Sequence, residues 1–422
     1  MSSGLPGYEE AAALVAAHAA KLARRRPAIE RLALDAAAGR VLAQPIRADR
    51  NQPPFDRSTR DGFACRAREI STHQFLPLAG SIHAGQPPTG PLPDGAAWEI
   101  MTGAAVPEGA DAVAMLEHVE LSEGRVRLLP ERKLSRGENI VPQGAQAHAG
   151  DELVPVGTTI AFAQIALAAA CGLPSLPVFV RPRVAILATG DELVPVEAEP
   201  APGKIRNSNA PMLAALVAAA GGEPWILPAA ADTALALDQS LAQAAGADML
   251  LISGGVSAGK FDLVEPALAR AGARFHFTGV RIQPGKPLVF GELPVQRAST
   301  AKNENGMKCF GLPGNPVSSA VTFLLFAAPV LGALTGRLEP GPRFVLARLA
   351  EETDKQGKPG LTRFLPAHCH FNLPAGHLPE VQLVPSQGSG DLAALSRSNC
   401  FLIVPEEAHR PVPGDIVRIL LP

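Results

Sequence analysis

From Arg183 onward, short apolar runs alternate with helix-length segments, and this rhythm restricts the possible folds more than any other feature. The apolar runs lie at 184–188, 225–227, 249–252, 275–280 and 309–312. Segments at 211–220, 233–245, 263–272 and 316–333 read as helices. Strands that are apolar throughout need cover on both faces, and crossover helices supply it, so the pattern predicts a mostly parallel sheet in an α/β layer structure. Ligands of such sheets sit beyond the carboxyl ends of the strands.

The loops after these runs carry unusual chemistry. The first reads Thr189-Gly190-Asp191-Glu192-Leu193. Its adjacent carboxylates suit Mg²⁺, a hard cation that takes oxygen ligands, but they also suit a helix start. In Asn207-Ser208-Asn209-Ala210-Pro211, Asn209 reads as an N-cap and Pro211 as a first-turn residue. Asp232 follows the run at 225–227 and either caps the next helix or adds a carboxylate. The run at 249–252 enters Ser253-Gly254-Gly255-Val256-Ser257-Ala258-Gly259-Lys260-Phe261-Asp262. The spacing from Gly254 to Lys260 mimics a P-loop, yet Phe261 stands where the Mg²⁺-holding hydroxyl belongs, which disfavours a nucleotidase. Gln283-Pro284-Gly285-Lys286-Pro287 holds a lysine on a stiffened turn. The last loop is Gly311-Leu312-Pro313-Gly314-Asn315-Pro316-Val317-Ser318, where Asn315 can cap and Pro316 can open a helix. Each loop is weak evidence alone; gathered at one sheet edge they point to an anionic ligand.

Elsewhere, residues 8–26 and 27–43 read as helices, 45–155 as a β-rich module, and 160–172 as a helix stopped at Cys171-Gly172-Leu173-Pro174. The β module is therefore an expected insertion. A linker at 338–342 leads into an all-β tail. A chain of 422 residues is too long for one core. Its net charge of −2 argues against a general nucleic-acid binder. The five cysteines are scattered with no C-x-x-C pair, which favours reduced thiols and a cytoplasmic protein. His368-Cys369-His370 reads as strand alternation in preference to a metal site. No apolar run of about 18 residues is apparent, and no membrane span is expected.

Together these motifs resemble the MoeA family of molybdopterin molybdenumtransferases, which is similar to the E domain of gephyrin. The resemblance rests on the loops quoted above and on further segments in the same order. These are Pro54-Phe55-Asp56-Arg57-Ser58-Thr59-Arg60-Asp61-Gly62-Phe63-Ala64, Ile100-Met101-Thr102-Gly103-Ala104 continuing to Val113, and Gln387-Gly388-Ser389-Gly390-Asp391. It implies a multidomain α/β homodimer. A split helical domain would span 1–47 and 150–180, and an inserted β-rich module 48–149. A three-layer α/β molybdopterin-binding domain would span 181–335, and a C-terminal β barrel 340–422. The implied reaction inserts molybdate into adenylylated molybdopterin and releases AMP, with Mg²⁺ assisting. Implied catalytic residues are Asp61, Thr102, Glu192, Asp232 and Asp262, of which Glu192, Asp232 and Asp262 would hold Mg²⁺. Substrate binding would fall to Thr189, Gly190, Asp191, Asn209, Ser253, Gly254, Gly255, Ser257, Lys260, Pro284, Gly285, Lys286, Pro313, Gly314, Asn315, Pro316 and Ser318, with molybdate near 313–318. Asp61 and Thr102 would reach the cleft from the β module of the second subunit. Implied partners are a molybdopterin adenylyltransferase and the molybdoenzymes or their chaperones.

The chain departs from the family pattern at Val141, Ala145, Gln146, Lys260, Gln283 and Leu361, where charged or small polar residues are usual. The resemblance places several of these at the cleft. Either Lys260 compensates for the lysine replaced by Gln283, or the chain is a divergent paralogue that binds the cofactor and inserts metal poorly.

Overall fold

A computed structural model describes residues 4–24, 27–256, 263–294, 306–352, 359–371, 376–406 and 411–422. The α/β rhythm forms one sheet with strands in the order Glu223–Ile226, Arg183–Ala188, Met249–Ser253, Met307–Leu312, Val289–Leu293 and Arg274–Thr278. The first four strands are mutually parallel, and Val289–Leu293 runs against them. Arg274–Thr278 is antiparallel in turn to Val289–Leu293, which restores its direction to that of the parallel set. The loop at 279–288 therefore leaves from the same edge as the other site loops.

Alternate residues of these strands enter separate cores. Val184, Ile186, Met249, Leu251, Phe310 and Leu312 pack against helices Tyr8–Ala23, Asn209–Ala219 and Pro316–Leu334. Ala185, Leu187, Leu250, Ile252 and Cys309 pack against Ala234–Gln243 and Val264–Arg270. A period of two on strands buried on both faces makes the three layers.

The helix Pro316–Leu334 corrects one expectation. It has 19 residues with mean hydropathy 2.0, long and apolar enough to cross a membrane by length and composition. Yet 89% of that apolar window is buried inside the protein, so its apolar circumference is that of a core helix. A wide π turn at Phe323–Ala327 precedes Pro329, which lacks the N–H that a regular ladder would use.

The second expected helix, at 27–43, does not form. Ile29–Ala33 is a strand paired antiparallel with Ser175–Phe179, and only a short turn, Leu34–Ala36, follows. Exposure alternates along Ile29–Ala33, and strand pairing overrides the helix preference of its alanines and leucines.

The β-rich module is a sheet ordered Ala112–Met115, Gly62–Cys65, Ala97–Ile100, Leu76–Ile82, Arg125–Leu128 and Val119–Ser122. In the tail, Thr362–His370, Glu380–Leu383, Arg343–Leu349, Ile416–Leu421 and Cys400–Val404 close into a barrel, because the first also pairs with the last. His368 and His370 lie on this strand, as read. All five cysteines are free and buried. Ile282–Gln283 pairs parallel with Thr362 and Arg363, which ties the Pro284–Pro287 turn to the barrel.

Candidate functional site

The loops at the carboxyl edge surround two adjoining clefts. One, of about 840 Å³, is lined by Thr189, Gly190, Glu192, Asn209, Asp232 and the 253–256 turn among others. The other, of about 990 Å³, lies between the sheet edge and the barrel and includes Gln283, Lys286, Ser318, Arg363 and Ser389. Pro287, Pro313 and Asn315 border both.

Backbone proximity forces the glycines. Gly254 has φ +101°, and a Cβ there would lie 2.4 Å from the Thr189 carbonyl oxygen. Gly285 has φ +110°, and a Cβ would lie 2.5 Å from Thr322 Cγ2. These turns exist only with bare backbone.

The carboxylates interlock. Asp232 Oδ1 accepts from Thr189 Oγ1 at 2.5 Å and Oδ2 from Asp191 N–H at 3.2 Å. Asp191 Oδ1 accepts in return from Asp232 N–H at 3.0 Å. Asp232 is therefore no helix cap; Thr233 caps Ala234–Gln243 by accepting from Ala236 N–H. Asn209 is not the cap expected of it either. Asn207 Oδ1 accepts from Ala210 N–H, while Asn209 Nδ2 donates to Ser253 Oγ at 2.8 Å and to the Gly314 carbonyl at 2.6 Å. Asn315 occupies an N-cap position but spends its side chain on Ser389 Oγ, 2.9 Å away.

Glu192 and Asp232 line one cleft, whereas Ser257, Lys260 and Asp262 lie outside the described residues. Among the described residues, three potential ligands converge only at His18, His276 and Glu292. That cluster sits toward the start of Met307–Leu312, away from the carboxyl edge, and Glu292 there is already paired with Lys308 at 2.9 Å and Arg274 at 3.1 Å. A divalent ion beside those two cations would be repelled.

Asp61 and Thr102 meet each other, since Asp61 Oδ1 accepts from Thr102 N–H at 2.6 Å. That bond holds the Asp61 carboxyl below its ordinary range. Both sit on the β module and line neither cleft of their own chain. Of the departures from the family pattern, Gln283 borders the cleft beside Lys286; Val141, Ala145, Gln146 and Leu361 border neither.

Arg363, Ser319 and Ser389 were not singled out from sequence. Arg363 is 9% exposed on a strand whose neighbour carries Gln283, and only that long-range pairing brings it to the cleft. Asp391, by contrast, is structural: it caps Leu392–Arg397 by accepting from Ala394 N–H.

Family models match almost the whole chain in order. The MoeA N-terminal region (domain I and II) matches residues 7–172, a probable molybdopterin binding domain 185–333, and the MoeA C-terminal region (domain IV) 343–421. The chain belongs to the MoeA family. A molybdopterin molybdenumtransferase of Nostoc sp. is 36% identical over 396 residues, covering 92% of this chain and 87% of the relative. The Bacillus subtilis protein of that name is 35% identical over 406 residues, covering 93% and 89%. A crystal structure of a molybdopterin biosynthesis MoeA protein from Pyrococcus horikoshii OT3 superposes with TM-score 0.79 at 28% identity, covering 99% of this chain and 100% of that one. The mixed α/β fold with its C-terminal barrel is thus the MoeA fold.

Proposed function

We propose that this MoeA-family chain is a molybdopterin molybdenumtransferase: it binds adenylylated molybdopterin and molybdate, inserts the metal at the dithiolene and releases AMP. The observation that carries this reading is the pair of adjoining clefts that share Pro287, Pro313 and Asn315. One offers carboxylates and bare backbone turns; the other offers Lys286, Arg363, Ser318 and Ser389, cationic and hydroxyl groups suited to a small oxyanion. A substrate with a pyrophosphate spanning their border is poised beside molybdate, and proximity of the two reactants lowers the barrier.

Mg²⁺ fits the carboxylate cleft by donor type, since Glu192 and Asp232 present hard oxygens and Asp191 orients Asp232. Bound there, it would neutralise pyrophosphate charge and make AMP a better leaving group. Lys286 balances oxyanion charge, and the Thr189 hydroxyl fixes the Asp232 carboxylate. The exposed Asp61, held ionised by Thr102, completes the site from a second copy in a homodimer. The deciding experiment follows AMP release from adenylylated molybdopterin with and without molybdate. Molybdate-dependent release is expected; its absence would sink the assignment.

A further inference from the structure

Behind the border of the two clefts runs a directed chain of hydrogen bonds. One Asn209 amide hydrogen goes to the Gly314 carbonyl at 2.6 Å. The other goes to Ser253 Oγ at 2.8 Å. Ser319 Oγ donates to the Pro313 carbonyl, so at the 3.5 Å contact between Ser253 and Ser319 the proton belongs to Ser253. The relay thus reads Asn209, Ser253, Ser319, Pro313 carbonyl, and hydrogen bonds aligned this way reinforce one another. Ser253 and Ser319 are 3% and 0% exposed, so water does not compete for them.

Asn209 therefore holds two successive carbonyls, one directly and one through two serines. Both peptides are trans, because cis bonds occur only at Gln52-Pro53 and Gln283-Pro284 among the described residues. In a planar trans peptide the N–H points opposite to the C=O. Drawing the Pro313 and Gly314 carbonyls toward Asn209 and Ser319 turns the Gly314 and Asn315 N–H groups the other way. Among the described residues, neither N–H donates to the protein.

We propose that Asn209, Ser253 and Ser319 are positioning residues that lock these two peptides so that the N–H groups of Gly314 and Asn315 receive a tetrahedral oxyanion. The proposal rests on the cleft reading above and extends it to Ser319, which lines neither cleft, and to a holding role for Asn209 and Ser253 at the cleft wall. The oxyanion is either a phosphate of the nucleotide ester or molybdate itself, and successive N–H groups suit both.

The test is calorimetric titration of the full-length protein with pyrophosphate, AMP and molybdate, alongside thermal melting. Asn209→Asp exchanges both donors for acceptors but also adds a negative charge at the cleft, whereas Ser319→Ala cuts only the relay without changing charge and is the deciding variant. Both are expected to weaken at least one anion, Ser319→Ala by about 10-fold, the scale of a lost hydrogen bond in a buried network, and Asn209→Asp by more. Loss confined to pyrophosphate and AMP assigns the N–H pair to phosphate; loss confined to molybdate assigns it to the metal oxyanion. In the Asn209→Ala background, Ser319→Ala should add little, since the relay has already lost its first donor. If Asn209→Asp does not fold, Ser253→Ala breaks the relay at its middle and carries the same test. Unchanged affinity for every probe in these variants, whatever their melting temperature, overturns the proposal alone. No binding of any probe by the wild type overturns the cleft reading as well.

Discussion

At the residue scale, the site depends on groups whose roles the chain order conceals. Asp232 and Asn209 both precede helices, and local rules assign each to capping. Thr233 and Asn207 do the capping, which frees Asp232 for Thr189 and Asp191, and Asn209 for Ser253 and Gly314. Asp232→Ala should lower molybdate-dependent AMP release by about 100-fold, the scale of removing one preorganised electrostatic group. Glu192→Ala should do likewise with an unchanged melting temperature, because Glu192 is exposed. Full turnover in either variant would remove that residue from the mechanism. Gly254→Ala drives a methyl to 2.4 Å from the Thr189 carbonyl at φ +101°. Backbone strain alone costs about 1–3 kcal/mol, so the melting temperature should fall by several degrees, as calorimetry would show.

At the element scale, the helix Tyr8–Ala23 docks on the sheet through a titratable cluster. His18 packs beside His276, Glu292 and the 2% exposed Lys308. Burial, helped by Lys308, lowers the His18 pKa from 6.5 to about 4 although Glu292 opposes the shift. Burial lowers His276 in the same direction. The fold therefore keeps His18 neutral while the unfolded chain takes up a proton. The sign follows: stability is undiminished above pH 6.5 and declines as pH falls from 6.5 toward 4. His18→Gln should flatten part of that decline in melting temperature; an identical pH profile would remove His18 as its source.

The elements also divide by what their patterns reveal. The central strands Arg183–Ala188, Met249–Ser253 and Met307–Leu312 were legible because burial on both faces leaves almost no polar positions. The strand Ile29–Ala33 was not, since its partner Ser175–Phe179 lies far along the chain. The strand Val289–Leu293 was also missed, its signal broken by Gly291 and Glu292.

At the scale of the whole molecule, the proposed homodimer, with Asp61 and Thr102 reaching the partner's cleft, makes a distinct prediction. Asp61→Ala and Asp232→Ala chains, each inactive alone, should recover about a quarter of wild-type turnover when refolded together, since half of the dimers then hold one site with both residues intact. No recovery in verified mixed dimers would place both residues in sites of one chain.

The sequence by itself determined the α/β class, the loops at the strand ends and the family, because these depend on local periodicity and on glycines that no other residue replaces. Only the tertiary structure decided which of those loops touch and what their side chains do there. It brought Arg363 to Gln283 by pairing Ile282–Gln283, which follows the last strand of the α/β sheet, with the barrel strand Thr362–His370, and it aligned Asn209, Ser253 and Ser319 behind one turn. The physical reason is that a hydrogen bond between residues such as Asn209 and Gly314 leaves no periodic trace; it exists only once the start of helix Asn209–Ala219 and the turn after Met307–Leu312 stand side by side.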